Sequence, residues 1–246
     1  MVIRRTPEET YWEFFRADRT KDAEAWAAVM SYPHVRVAAP GRIEYFRSAE
    51  EFIASADWTQ REATGWIRTE GIEPRVIQTA RKKLHLAGGW TRYDINDQPI
   101  LSNRVVYVLT KQYDGWGIQA RFACGATASW QEAADAEPVN VVKRFLHLLK
   151  DGEISTTVRL VGYPFIVVGM STVRRYESEA SLASSLPRLI RTPVEISDVS
   201  LIQNGSQGAN VCGSFGIDAD MPHDAVFLIA RKDADYRLAA LSLLSS

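Results

Sequence analysis

Cysteine is nearly absent from this chain: Cys124 and Cys212 are the only two in 246 residues. Neither has metal-ligand spacing or a diagnostic neighbourhood, so both are read as reduced thiols rather than a disulfide framework or a Cys–His nucleophile. An excess of either charge is lacking too, because 29 Lys and Arg stand against 30 Asp and Glu. Nucleic-acid binding needs many cationic contacts, and no long basic tract supplies them. The densest basic cluster, Arg81-Lys82-Lys83, reads as a solvated strand or turn. No apolar run approaches the roughly 20 residues that span a bilayer. The opening "MVIRRTPEETYWEFF" also lacks the apolar stretch of an export signal. The expectation is a cytoplasmic protein with neither a membrane nor a nucleic acid as partner. Two catalytic signatures are missing as well, the nucleophile elbow and the phosphate-binding glycine loop with its lysine. "QNGSQGAN" at Gln203–Asn210 has the glycines without the lysine or the spacing, and reads as a turn. No cofactor is expected.

What is present is an echo. "YPHVRV" at Tyr32–Val37 returns as "YPFIVV" at Tyr163–Val168, 131 positions later. A chain of this length suits one large domain or two of about 120 residues. The order of elements around the echo favours two. Pro7–Asp18 reads as a helix, with Thr6 as its cap, Pro7 at the first position and Tyr11, Phe14 and Phe15 as an apolar stripe. A short helix carrying Ala25, Trp26 and Val29 ends at Tyr32-Pro33, and His34–Ala38 is a strand. Ser48 to Glu51 has capping-box spacing and opens a third helix. From about Glu73 to Phe122 the period becomes two, with strands at Arg75–Gln78, Trp90–Asp94, Asn103–Tyr113 and Trp116–Phe122, spaced as an antiparallel meander.

The second pass repeats the plan. Val141, Val142, Phe145, Leu146 and Leu149 form the stripe, and Leu160–Pro164 breaks into a strand. Tyr176 stands 131 residues after Tyr45, and a helix follows near Ser181–Leu189. Four strands then run through Val194–Gln203, Ala209–Ile217, Ala225–Arg231 and Arg237–Leu243. The offset falls to about 120 where "VVYVLTKQYDGWGIQARF" aligns with "AVFLIARKDADYRLAALSL". Loop deletions explain the drift, since loop length costs little. The expected organisation is a first domain over 1–125, a linker over 126–136 and a more divergent second domain over 137–246.

"FFRADRTKDAEAWAAVMSYPHVRVAAPGRIEYFRSAEEF" and "ILSNRVVYVLTKQYDGWGIQARF" resemble the nuclear transport factor 2-like superfamily, in its SnoaL-like or polyketide-cyclase-like branch. The resemblance implies an α+β fold of two tandem cones, each a curved antiparallel sheet wrapped around its N-terminal helices. Relatives commonly pair their sheets between chains. Here the two halves are expected to pair with each other as an internal pseudo-dimer, with further homo-oligomerisation open. The family spans isomerases, cyclases, dehydratases and non-catalytic binding or assembly domains, and no signature in this chain fixes a reaction.

Candidate residues follow from chemistry. His34 begins a strand, and a neutral imidazole beside a pocket moves protons near pH 7. Tyr45 and Tyr93 are the hydroxyls to test with it, and Phe165 fills the corresponding place in the second half. Trp26, Tyr45, Trp58, Tyr93 and Tyr107 are candidates to line the first cone, either filling it or framing a pocket. Arg36, Arg104 and Arg121 lie on strands, facing an acidic ligand or the surface. His85 and Asp94 could form a base pair, although His85 sits on an alternating strand that could turn it to solvent. "IDADMPHD" at Ile217–Asp224 is a hairpin whose acids lack a second ligand group, so no metal is expected.

Three functions remain open: a cone that binds a small apolar or ring-containing ligand, an acid–base enzyme in the first cone, and a protein-interaction module. Six of the seven tryptophans lie in residues 1–116, which points the first two at the first half.

Overall fold

Thr6 starts the first helix as its sequence dictates. Its hydroxyl accepts the Glu9 N–H at 3.2 Å, and the Glu9 carboxylate accepts the Thr6 N–H at 2.7 Å. The structure, a computed structural model, describes residues 5–112, 115–128, 136–189, 195–218, 221–232 and 235–244. In the first half α1 (Pro7–Thr20) and α2 (Ala23–Ala27) precede β1 (Met30–Ala38) and β2 (Arg42–Phe46). Then come α3 (Ala49–Ala54), α4 (Thr59–Glu62), β3 (Arg68–Gly71), β4 (Arg75–Thr79), β5 (Lys83–Tyr93), β6 (Pro99–Gln112) and β7 (Gly115–Ala123). The second half runs α5 (Glu137–Lys150), α6 (Ile154–Thr157), β8 (Val161–Val168), β9 (Val173–Tyr176) and α7 (Glu179–Leu189). It closes with β10 (Glu195–Asn204), β11 (Gly208–Asp218), β12 (Met221–Lys232) and β13 (Asp235–Leu243).

The chain is α+β, with one sheet per half. The first has the order β2-β1-β7-β6-β5-β3, with β4 also on β5, and the second β10-β11-β12-β13-β8-β9. Neither is the pure antiparallel meander read from spacing. β1 lies parallel to β7, and β8 parallel to β13. The reason is connectivity: the first hairpin of each half joins the sheet beside its last strand, and everything between serves as the crossover. α1 and α5 pack inside the curve of their sheets.

The halves match in detail. Tyr32-Pro33 and Tyr163-Pro164 are both cis, and each tyrosine hydroxyl donates five residues back, to Ala27 O at 3.1 Å and to Val158 O at 3.0 Å. Both long hairpins carry a bulge at the same place, between Val108 and Leu109 and between Leu228 and Ile229. One equivalence shifts. His34 pairs with Phe46 and Phe165 with Tyr176, so buried Tyr176 takes the place of buried Phe46 rather than of Tyr45. At α3 the Ser48 hydroxyl caps Glu51, but the Glu51 carboxylate accepts from the Arg47 N–H at 2.7 Å, not from Ser48.

The two convex faces bury each other. Val35, Val37, Val106, Val108 and Phe122 share one apolar layer with Ile166, Val168, Val226, Leu228 and Ala240. Fully burying such side chains contributes about 1.5–3 kcal/mol each. Polar groups in this seam obey a pseudo-twofold relation. His85 bonds Gln78 and the Ser242 hydroxyl, both at 2.8 Å, while Asn210 donates to Gln203 Oε1 at 3.2 Å and Phe122 O at 2.9 Å. His85 is therefore buried in the seam, not solvent-facing, and its partners do not include Asp94, whose carboxylate caps the turn at Asn96 and Gln98. Lys83 corrects a second expectation. Arg81 and Lys82 are exposed, yet Lys83 begins β5, points into the seam and is 0% exposed. Its ammonium donates to Val168 O at 2.9 Å, Gly169 O at 3.0 Å and Leu243 O at 2.7 Å, all in the other half.

Candidate functional site in the first cone

Superposing the halves by strand register and helix start exposes one systematic difference. α1 and α5 both carry proline in the first turn, Pro7 and Pro138, which sets Asp18 opposite Leu149 on the inner stripe. Tyr107 pairs with Arg121, and Phe227 with Leu241, at equivalent places beside the shared bulge. His34 and Arg36 on β1 stand where Phe165 and Val167 stand on β8. The second cone is closed by an unbroken apolar core containing Phe145, Leu149, Phe165, Val167, Phe227 and Leu241. In the first, Phe14 keeps the place of Phe145, and the other five places hold a carboxylate, an imidazole, two guanidiniums and a phenol.

These groups are packed against aromatic rings rather than exposed. The Asp18 carboxylate, almost fully buried, accepts from Arg61 Nη1 at 2.6 Å and Trp58 Nε1 at 3.2 Å. Arg36 bonds Glu44 at 3.1 Å, and its guanidinium lies 4.7 Å from the Phe52 ring and 5.0 Å from the Trp26 ring. Arg121 stacks 4.8 Å over Phe14, and Arg92 4.6 Å over Trp90. Such stacking holds a desolvated cation in place. Burial nevertheless depresses Arg36 and Arg92 to about 10, with neighbouring guanidiniums adding to the effect, so both remain charged at neutral pH.

His34 is fully buried between Phe46 and Phe52. Its Nδ1 lies 2.8 Å from Ile118 O; a carbonyl only accepts, so Nδ1 carries the proton and Nε2 presents a lone pair with no partner. Burial, reinforced by the Arg36 charge, pushes its pKa well below 6.5. Tyr107 is also fully buried, its hydroxyl has no partner other than the adjacent Arg121 guanidinium, and burial raises it to about 12 against the opposing influence of that charge. Orphaned donors accumulate here: Trp26 Nε1, Arg36 Nε and Nη2, Arg92 Nε and Arg121 Nε are buried without a partner. Among the described residues none of these orphans lies inside the second cone.

A void opens among Phe14, Asp18, Trp26, Arg61, Arg92 and Arg121, with Phe15, Thr69 and Trp90 completing its wall. It measures about 20 Å³, in the measure by which one water needs roughly 10–15 Å³. That is room for a small polar group rather than a ring.

Of the side chains singled out in the sequence, the structure brings Trp26, Trp58, Tyr107, Arg121, Arg36 and His34 to this cone. The surface placement open to Arg36 and Arg121 is thereby replaced by an interior one. Tyr45 and Tyr93 are not brought to it. Tyr45 pairs with Val35 and is 38% exposed, on the face opposite the His34–Phe46 pair. Tyr93 follows Arg92 on β5, so alternation sends it outward, where Arg68 lies 4.4 Å over its ring. Arg104 lines a separate open groove of about 260 Å³ between the halves, with Glu73, Arg75 and Gln203. Among the described residues no His, Cys, Asp and Glu group could hold a metal. Part of "IDADMPHD" lies outside the described residues; within it, His223 stacks on Phe215 and Asp224 accepts from the Ser214 hydroxyl. Sequence reasoning missed Asp18, Arg61 and Arg92. Asp18 was within reach, since it interrupts a stripe that the second copy completes with Leu149.

No protein-family model matches the chain, and no curated protein matches it. Solved structures do. A domain of unknown function with a cystatin-like fold from Nostoc punctiforme is 17% identical, with a TM-score of 0.40, over 60% of this chain and 88% of its own. An NTF2-like protein with a cystatin-like fold from Novosphingobium aromaticivorans is 10% identical, with a TM-score of 0.35, over 44% and 78%. An NTF-2 like protein of unknown function from Shewanella oneidensis is 12% identical, with a TM-score of 0.38, over 47% and 93%. The resemblance to nuclear transport factor 2-like proteins is one of fold, and the architecture above carries it. Among the described residues no helix is long and apolar enough to cross a membrane.

Proposed function

We propose that the first cone is a binding chamber for a small molecule and that the second cone is its structural partner. One observation carries this reading. At equivalent positions one cone is sealed by Leu149, Phe165, Val167, Phe227 and Leu241, while the other holds Asp18, His34, Arg36, Tyr107 and Arg121, of which Asp18 and Arg121 line a void. Buried unpartnered donors are costly, at about 1–3 kcal/mol each. A fold that seals the same cone with apolar groups has no structural need of them, so a ligand or ordered water is what they serve. The test is a thermal-shift screen of small metabolites on the full chain, repeated on R121L, which copies the second-half residue. Stabilising hits that vanish in a folded R121L support the chamber; a screen with no hits, or hits indifferent to the substitution, refutes it.

Acid–base chemistry is favoured by a single feature, the bare Nε2 lone pair of His34, a neutral base held in one tautomer. Its test is turnover of any ligand found, with H34F as the control. The interaction-module reading is left with the cone rim as its partner surface, since the convex faces of the two sheets pack on each other.

A further inference from the structure

The charges of the first cone do not balance, and the imbalance names the ligand's chemistry. Four guanidiniums converge on the cone: Arg36, Arg61, Arg92 and Arg121. Two carboxylates answer them, Asp18 to Arg61 and Glu44 to Arg36. Glu44 is further shared with exposed Arg42 at 2.5 Å, so it has no surplus to offer inward. Arg92 and Arg121 line the same void as Asp18, whose charge acts on Arg92, but among the described residues neither makes a salt bridge, and each has a buried Nε donor that meets no acceptor. Trp26 contributes a third buried donor with the same vacancy.

Each of these three atoms can only donate, so the group that meets them must present hydrogen-bond acceptors. Half-buried cations without a salt-bridge partner favour an anion, because an unpaired charge costs more the further it is removed from water. The volume of about 20 Å³ admits only a compact group. A carboxylate suits such a site, because its two oxygens offer about four lone-pair sites to charge-assisted donors.

We propose that the void between Arg92, Arg121 and Trp26 is the seat of a carboxylate, and that the first cone therefore takes small carboxylic acids. The proposal rests on the chamber reading and sharpens it. The ligand carboxylate accepts from both arginine Nε–H groups and the indole N–H. Asp18, held by Arg61 and Trp58, lines the same void, repels a second acidic group and accepts a hydroxyl or amine.

The experiment titrates the full chain with formate and acetate, with formamide and acetamide as uncharged isosteres, and with inorganic phosphate, following the Arg Nε–H resonances by nitrogen-15 NMR. The carboxylates are expected to move the Arg92 and Arg121 signals saturably, about tenfold or more tightly than the amides. R92Q and R121Q, checked for folding by circular dichroism, are expected to weaken acetate by a similar factor. The carboxylate–amide comparison needs no variant and stands if either substitution unfolds the chain. Equal response to acetate and acetamide, or phosphate binding more tightly than acetate, overturns the carboxylate. A parallel set of uncharged metabolites separates the two levels: if only they bind in the cone, the chamber survives and the anion proposal falls. If nothing moves the Arg92 and Arg121 signals, both fall.

Discussion

The two halves share helix starts, cis prolines, strand order and bulges, and they differ in what fills the cone. The second half shows what the fold requires for stability: an inner stripe from α5 closed by Phe165, Val167, Phe227 and Leu241. The first half keeps that scaffold and gives up five of its apolar contacts for groups that are expensive to bury. The comparison acts as an internal control. Whatever the polar cluster does, the fold does not need it.

Exchanging residues between the halves breaks this comparison most severely. L149D places a carboxylate in the second cone, where the apolar core supplies no guanidinium, and is expected to cost about 4 kcal/mol or more, read as a lowered denaturation midpoint. D18L strands Arg61 and is expected to cost about 3 kcal/mol, most of it recovered in D18L/R61L. A full loss that the double variant leaves uncorrected would show that Asp18 acts through something other than Arg61.

The seam gives the next effect. Its pseudo-twofold pairs β5 with β11, yet Lys83 has only Gly208 opposite it, so one lysine locks the halves on one side alone. K83M leaves three buried carbonyls without their donor and is expected to cost about 3 kcal/mol. Burial also lowers the Lys83 pKa from 10.5 to about 7. The unfolded chain then binds the proton more readily between those values, so this group's contribution is fully present above pH 10.5 and is lost as pH falls toward 7. K83M removes that slope.

R121L is expected to leave stability unchanged or raise it by about 1 kcal/mol, since it deletes a half-buried cation that makes no salt bridge among the described residues, while abolishing acetate binding. The smallest effect is on pH dependence. His34 titrates well below 6.5 when folded, so its share of stability is present above pH 6.5 and lost as acid protonates the unfolded chain. His85 behaves alike in the seam, where burial and Lys83 lower it. H34F is therefore expected to remove part of the acid-side slope of chemical denaturation, not all of it.

Much of the fold was legible because it rests on local signals. The Thr6 cap, the Tyr11–Phe15 stripe and the repeated Tyr-Pro are each written in a few adjacent residues. The parallel closure of β1 on β7 was not, because no local pattern states which strand a distant edge will join. Lys83 and His85 were misplaced for a related reason. Period two separates the faces of a strand without saying that the outer face is roofed by a second sheet. For the site, residue type alone singles out His34, Trp26 and Arg121, which the fold brings into the first cone, whereas Asp18 reads only as the end of a helix. Its meaning lies in the contrast with Leu149, which only the aligned copies display.

The measurement that bears most directly on the two-cone account is ligand binding by a chain whose first cone has been rewritten as the second, D18L/H34F/R36V/R61L/Y107F/R121L. The account predicts that this chain folds at least as stably as the parent and loses every small-molecule hit of the thermal-shift screen. A rewritten chain that folds and still binds the same molecules would place binding elsewhere and contradict it.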